Sequence, residues 1–118
     1  MHTFTIFNNE PDARAFKAGQ TIFAEGDASQ DLMFAVLDGE VDIVRHQHVV
    51  ATITPGGVFG EMALLDQLPR SASAVAKTDC RVAAVSEYRF TRLVLQNPHF
   101  ALEMMRLLVE RLRQNMST

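Results

Sequence analysis

The 118-residue sequence contains one cysteine, Cys80, so no disulfide can form within the chain. It lacks apolar runs of membrane-spanning length and opens without a positively charged leader, which argues against a membrane protein. Basic residues are not in excess, because 11 Lys and Arg stand against 14 Asp and Glu for a formal net charge of -3. Nucleic-acid-binding domains normally carry a basic face, so we expect no nucleic-acid partner. The composition predicts a soluble cytoplasmic protein with a single domain over residues 1–118.

Recognisable catalytic groups are also missing, since no Ser or Cys has a suitable His and acid nearby and no P-loop lysine is present. The pair His46 and His48 invites comparison with a metal site, because alternate strand residues share a face, as in the His-x-His pairs of cupins. The carboxylate and the later His of a cupin-type site do not follow. We therefore expect His46 and His48 to lie in an exposed turn. Because no catalytic set is present, we expect a binding protein that is not an enzyme, with a small cupin-like metalloenzyme as the alternative.

Short β-rich runs separated by Gly and Asp turns fill residues 14–85. This spacing is typical of an antiparallel sandwich or roll. The predicted strands are Arg14–Lys17, Gln20–Phe23, Leu32–Leu37, Val41–Arg45, Val49–Ile53, Ala72–Ala76 and Arg81–Val85. The fourth and fifth runs should pair as a hairpin.

The periodicity becomes helical after Ser86, which is a suitable N-cap for a helix over Glu87–Leu95. Asn97 and Pro98 then predict a second helix that ends near Gln114. The second helix carries a broad apolar stripe made of Phe100, Met104, Leu108 and Leu112, flanked by Ala101, Met105, Leu107 and Val109. This stripe is wider than one sheet face usually covers, so core packing alone and an additional partner both stay open.

One stretch in the middle of the chain predicts a phosphate cradle. Gly60 allows unusual backbone angles and close approach of a ligand. The helix formers of Glu61–Leu65, followed by Pro69, predict one short helical turn whose first amides form an anion site. Arg70 adds a planar, permanently charged fork, and Ser71 adds a hydroxyl donor.

Glu61 is unexpected in this stretch, because a carboxylate should repel a phosphate. Its position is explained if it accepts hydrogen bonds from hydroxyl groups on a neighbouring part of the ligand, such as a ribose. The stretch then binds one phosphate and one sugar hydroxyl side by side. The alternative is structural, with Glu61 and Arg70 as an ion pair that ties a surface loop to a β-sandwich.

Phe59 to Ala72 resembles the phosphate-binding cassette of the cyclic-nucleotide-binding domains of catabolite activator proteins, cAMP-dependent protein kinase regulatory subunits and cyclic-nucleotide-gated channels. The family pattern is Phe-Gly-Glu, an apolar residue, Ala-Leu, a variable loop, Pro-Arg, a small residue and Ala, and each point is met. The resemblance implies a mainly β fold with α: an antiparallel eight-stranded, jelly-roll-like β-roll over about 14–85. A short cassette helix and two C-terminal helices over about 87–114 complete the expected domain.

The resemblance also implies residue roles. Glu61 takes the ribose 2′-hydroxyl, Arg70 and Ser71 take the exocyclic phosphate oxygens, and main-chain amides complete the cradle. The implied ligand-binding residues are Phe59, Gly60, Glu61, Met62, Ala63, Arg70, Ser71 and Ala72. The implied base-covering residues on the last helix are Met105, Leu108, Val109 and Leu112. In the family that the cassette resembles, a Thr directly after the cassette arginine tends to accompany a preference for cGMP, whereas Ser71 is compatible with both bases. We therefore expect cAMP as the ligand, with cGMP as the alternative.

A protein of this family would act as a cyclic-nucleotide sensor that signals by movement of its last helix. Its partner would be a second copy of the chain or a protein effector that contacts this helix. The alternative function is that of a ligand-free adaptor of the same fold, which recruits another protein through the helix. The sequence leaves open whether the domain is free-standing or part of a larger protein.

Overall fold

The computed structural model describes residues 3–116, with side chains up to residue 114. The described residues contain eight strands in two four-stranded sheets, one 3-10 turn and two helices. They group into two compact units, which are the β-rich segment Thr3–Glu87 and a helical segment that begins at Tyr88. The predicted antiparallel eight-stranded roll with a short cassette helix and two C-terminal helices is confirmed.

The strands are close to those predicted from the turn spacing. In chain order they are β1 (Ala13–Phe16), β2 (Thr21–Phe23), β3 (Leu32–Asp38), β4 (Val41–Arg45), β5 (His48–Ile53), β6 (Val58–Phe59), β7 (Ser73–Ala76) and β8 (Cys80–Ser86). One sheet has the strand order β1-β8-β3-β6 and the other has the order β2-β7-β4-β5, with antiparallel pairing throughout. The two-residue strand β6 was not predicted individually, because two residues carry no periodicity.

The core lies between the two sheets. Phe34 and Val36 on β3 enter a shared cluster of buried side chains, whereas Met33 and Ala35 alternate with them and are buried on the opposite face. Burial on both faces explains why β3 has a continuous apolar run in the sequence. The other buried members of the cluster are Val41, Phe59, Ala74, Ala76, Cys80, Val82 and Ala84.

Cys80 is a buried thiol within this cluster. Burial raises the pKa of the Cys80 thiol, and the neighbouring charge of Asp79 raises the pKa further. The neutral thiol is therefore favoured, and Cys80 behaves as a small apolar core residue.

The β4–β5 hairpin turns through His46 and Gln47, whose φ angles are 52° and 69°. Two successive residues in the left-handed region form the type I′ turn that matches the twist of the flanking strands. His46 thus lies in the turn, while His48 begins β5, and both side chains are exposed. Within residues 3–116, no group of three or more His, Cys, Asp or Glu side chains could hold a metal ion.

The segment before β1 contributes to packing. Phe7 is fully buried and Phe4 is 8% exposed, with their rings edge to face at a centroid distance of 6.1 Å. The Phe4 amide donates to the Gly56 carbonyl at 2.7 Å. This hydrogen bond attaches the segment to the turn that leads into β6.

The two helices begin where the caps predicted, as α1 (Glu87–Gln96) and α2 (Pro98–Met116). The Asn97 carbonyl accepts from the Phe100 amide at 2.9 Å, and the Asn97 side chain donates to the Leu93 carbonyl at 3.2 Å. Phe90 and Phe100 are in ring contact at 5.5 Å and join the two helices. Neither helix, over its described residues, is long and apolar enough to cross a bilayer.

Candidate functional site

The predicted cradle begins where β6 ends. Gly60 follows Phe59 with φ 70° and ψ 15°, and the 3-10 turn Glu61–Leu64 follows directly. The left-handed angles explain why glycine stands at this point of the sequence. The Ala63 amide donates to the Gly60 carbonyl at 3.2 Å, which closes the turn. The predicted short helical turn is therefore present, in 3-10 rather than α geometry.

Gly60 has no room for a side chain. A Cβ at this position would lie 2.8 Å from Nη1 of Arg70 and 3.4 Å from Cε2 of Phe23. We expect Gly60→Ala to lower the free energy of unfolding by more than the roughly 1 kcal/mol that a left-handed alanine costs. Urea denaturation measures this loss.

Gly19→Ala is the matched control for this prediction. Gly19 has a comparable φ of 88°, but a Cβ at this position would have nothing within 4 Å. It therefore reports the backbone cost alone. Equal losses of stability in the two variants would contradict the close contact between Gly60 and Arg70.

Arg70 is buried, with 8% of its surface exposed, and its guanidinium donates to three main-chain carbonyls. Nη1 donates to the Gly60 carbonyl at 3.2 Å. Nη2 donates to the carbonyls of Ser29 and Leu32, both at 2.8 Å. Nε of Arg70 is buried and has no hydrogen-bond partner. The fork predicted for two phosphate oxygens is thus partly occupied by the protein's own main chain.

The charge of Arg70 sits in a desolvated environment. Desolvation by burial lowers the pKa of Arg70, while the charges of Asp27 and Glu61 oppose this effect. The ring of Phe23 lies 4.1 Å from Cζ of Arg70 and also favours the cation. A guanidinium remains charged at neutral pH, so the site presents a buried cation with an unused donor. This chemistry fits an anionic oxygen, which such a cation attracts more strongly than it would in water.

Glu61 and Ser71 differ in their surroundings. Glu61 is 6% exposed, and its negative charge raises the pKa of Arg70 against the effect of burial. Ser71 follows Arg70 and is exposed, so its hydroxyl is accessible at the surface.

The remaining cassette residues divide between the core and the surface. Phe59 is 2% exposed and stacks on Phe34 at a centroid distance of 5.3 Å, so its side chain packs in the roll. Ala63 and Ala72 are buried, whereas Met62 is 49% exposed. The proposed contacts of their main chains with a ligand stay predictions.

Sequence reasoning missed the loop that holds Arg70. The Arg70 amide donates to the Asp27 carbonyl and the Arg70 carbonyl accepts from the Gly26 amide, both at 2.8 Å. Ser29 and Leu32 supply the carbonyls for Nη2. In the sequence, Gly26 and Asp27 indicate only a turn, and main-chain acceptors leave no side-chain signal.

The apolar residues of α2 form two stripes, one buried and one exposed, rather than the single broad stripe that helical periodicity predicted. The buried stripe consists of Phe100, Met104 and Leu107, with Leu108 half-buried beside it. The exposed stripe consists of Leu102, Met105, Val109 and Leu112. Three of the four predicted base-covering residues are therefore exposed, and their contact with a base stays a prediction.

Comparison with known proteins identifies the family. The family model described as "Cyclic nucleotide-binding domain" matches residues 13–97. A cAMP-dependent protein kinase regulatory subunit from Aspergillus niger is 44% identical over 85 residues, which cover 70% of this chain and 20% of that protein. A cyclic AMP receptor protein from Thermus thermophilus is 37% identical over 106 residues, which cover 86% of this chain and 49% of that protein.

Solved structures agree with the sequence relatives. The crystal structure of the Thermus thermophilus catabolite activator protein matches with a TM-score of 0.79 and 35% identity, covering 88% of this chain and 51% of that one. The chain thus spans between a fifth and a half of the relatives' lengths. Because the family match includes the roll, the cassette and α1, the resemblance noted in the cassette extends over most of the sequence. The chain belongs to the cyclic nucleotide-binding domain family.

Proposed function

We propose that this chain is a regulatory module that binds a cyclic nucleotide, with cAMP as the preferred ligand, and catalyses no reaction. The observation that carries the proposal is the buried cation of Arg70, whose Nε has no partner, together with the buried carboxylate of Glu61, whose charge acts on the arginine. The names of the two sequence relatives, both of which refer to cAMP, support this choice of base.

The two groups have complementary tasks in the proposal. Arg70, with Ser71 and the amides of the cassette, binds the cyclic phosphate, because a desolvated guanidinium and main-chain donors both favour an anion. Glu61 accepts from the ribose 2′-hydroxyl. Each hydrogen bond to a charged group contributes about 1.5 to 3 kcal/mol, so a few such contacts support micromolar binding.

A thermal melt tests the proposal directly. A ligand that binds only the folded state raises the melting temperature by mass action. At a ligand concentration of about a hundred times Kd, the free energy of unfolding rises by about 2.7 kcal/mol. We expect cAMP to raise the melting temperature by several degrees, cGMP to raise it less, and 5′-AMP to have little effect because its phosphate is not ring-closed. A melting temperature that none of the three nucleotides changes would contradict the proposed function.

The alternative function, a ligand-free adaptor of the same fold, also has an observation in its favour. The carbonyls of Gly60, Ser29 and Leu32 accept from the guanidinium of Arg70, so the arginine has a structural role that requires no ligand. The adaptor predicts an unchanged melting temperature with every nucleotide. The same melt therefore separates the two functions.

We further propose that α2 is the output surface and that its partner is a second copy of the chain. The exposed stripe Leu102, Met105, Val109 and Leu112 has spacings of three, four and three residues, which is the a/d pattern of a coiled coil. Val109 at an a position and Leu112 at a d position favour a parallel two-stranded pair. A protein effector that presents an apolar helix is the other partner that suits this stripe.

The oligomeric state in solution checks this part of the proposal. We expect light scattering after gel filtration to give a dimer for the wild type and a monomer for Leu112→Lys, because a charge at a d position interrupts the seam. Leu95→Lys on α1 is the control, since Leu95 is also exposed, at 75%, but lies outside the stripe. A monomeric wild type would point to an effector instead, and a dimer that survives Leu112→Lys would show that the exposed stripe is not the dimer interface.

A further inference from the structure

Phe23 lies against the guanidinium on which the proposed function depends. The residue is at the end of β2, an outer strand of its sheet, and its side chain is half-buried. The ring centroid lies 4.1 Å from Cζ of Arg70, compared with 5.8 Å for the ring of Phe34. An aromatic face at this distance attracts a guanidinium, and the attraction is stronger where water is excluded.

The ring of Phe23 is itself held by the core. Its centroid is 5.8 Å from that of Phe34 and 6.0 Å from that of Phe59, and those two rings stack on each other. Phe34 and Phe59 are 4% and 2% exposed, so they belong to the close-packed interior. Phe23 therefore connects a rigid core to a charged side chain in the cradle.

The carbonyls and the ring restrain Arg70 in different directions. The carbonyls of Gly60, Ser29 and Leu32 accept from Nη1 and Nη2 and fix one end of the guanidinium. Hydrogen bonds to carbonyls tolerate a broad range of approach angles, so they restrict tilting of the plane only weakly. The ring of Phe23, whose centroid lies 4.1 Å from Cζ, supplies a contact over the guanidinium that the carbonyls do not. Nε is buried and has no partner of its own, so its direction depends on how the rest of the guanidinium is held.

We propose that Phe23 is a positioning residue, which holds the guanidinium of Arg70 in the orientation that leaves Nε for an anionic oxygen of the ligand. The effect on ligand affinity rests on the proposed function. The effect on the orientation of Arg70 does not, because it is a property of the ligand-free protein. The two effects can therefore be tested separately.

The test compares two changes at Phe23 with one matched control. Phe23→Leu removes the ring and keeps an apolar side chain, while a ring-fluorinated phenylalanine at position 23 keeps the shape and withdraws electrons from the ring face. Phe16→Leu is the control, because Phe16 is also half-buried and packs against the same core cluster. Urea denaturation gives the stability of each protein, and calorimetry gives its affinity for cAMP.

We expect Phe23→Leu and Phe16→Leu to lose similar stability, while Phe23→Leu binds cAMP about fivefold more weakly than the control. The fluorinated protein should have near wild-type stability and an intermediate affinity. A purely structural role of Phe23 would change affinity only together with stability. Equal affinities of Phe23→Leu and Phe16→Leu would overturn the role in ligand binding.

The NMR signal of the Arg70 Nε–H group tests the orientation without ligand. The signal is assigned by its loss in Arg70→Lys, and we expect Phe16→Leu to leave it unchanged. Phe23→Leu should shift it and speed its exchange with water, because the ring no longer covers the guanidinium. An unchanged signal in Phe23→Leu overturns the positioning role whatever the affinities are. If the wild type binds no cyclic nucleotide but the signal responds as expected, the proposed function fails and the positioning role stands.

Discussion

Replacing Arg70 by alanine is expected to weaken cAMP binding by more than about tenfold, which corresponds to a loss above roughly 1.4 kcal/mol. The phosphate would lose its counter-charge at a site where burial makes the interaction strong. The variant should also be less stable by about 1 to 3 kcal/mol, because the carbonyls of Gly60, Ser29 and Leu32 lose their donor. Calorimetry and urea denaturation measure the two losses separately.

Two further variants show which part of the loss belongs to the ligand. Arg81→Ala removes an arginine whose bond to Asp38, at 3.1 Å, lies between exposed side chains, so we expect little change in either measurement. Arg70→Lys keeps the charge but loses the planar fork, so its affinity should fall between those of the wild type and Arg70→Ala. Equal affinity of the wild type and Arg70→Ala would refute the role given to Arg70.

Removing the 2′-hydroxyl of the ligand should have the second large effect. If Glu61 accepts from this hydroxyl, 2′-deoxy-cAMP should bind the wild type about tenfold to a hundredfold more weakly than cAMP, because a hydrogen bond to a charged group contributes about 1.5 to 3 kcal/mol. Glu61 is only 6% exposed, and a buried hydrogen bond is stronger than one in water. We therefore expect the loss of affinity for 2′-deoxy-cAMP to lie in the upper part of the range for side-chain hydrogen bonds. Calorimetry with both nucleotides provides the comparison.

A cycle over ligand and protein assigns the effect to one residue. In Glu61→Gln the preference for cAMP over 2′-deoxy-cAMP should shrink to a few-fold, because the charged acceptor is gone while the side-chain shape is kept. Glu40→Gln is the control, since Glu40 pairs with Lys77 at 3.9 Å on a different part of the roll and should keep the full preference. A wild-type protein that does not distinguish the two nucleotides would remove the assignment of Glu61.

Much of the fold was predictable from local patterns. The Gly and Asp turns marked seven of the eight strands within about a residue or two at each end, and Pro98 marked the first residue of α2. The short turn of the cassette was predictable because its backbone requires particular residues at fixed positions. Gly60 has a backbone conformation that other residues adopt only at a cost, and the short turn after it was evident from its composition and from Pro69.

The sequence was less informative wherever a side chain meets the main chain of a distant segment. Arg70 lies 41 residues from Ser29 and 38 from Leu32, yet it donates to both of their carbonyls. A carbonyl is common to every residue, so no residue type records that contact. Phe23 likewise resembled an ordinary strand residue, because residue type alone does not show that its ring lies over the guanidinium of Arg70.

By itself, the sequence determined the class of fold and the position of the short turn that follows Gly60, since turns and caps depend on residue type. Only the tertiary structure decided how much of the guanidinium is left for a ligand and which stripe of α2 is exposed. Helical periodicity placed Phe100, Met104, Leu108 and Leu112 together, whereas burial selects Phe100, Met104 and Leu107. The physical reason is that burial depends on which neighbours reach each face, and those neighbours come from parts of the chain that local patterns do not connect.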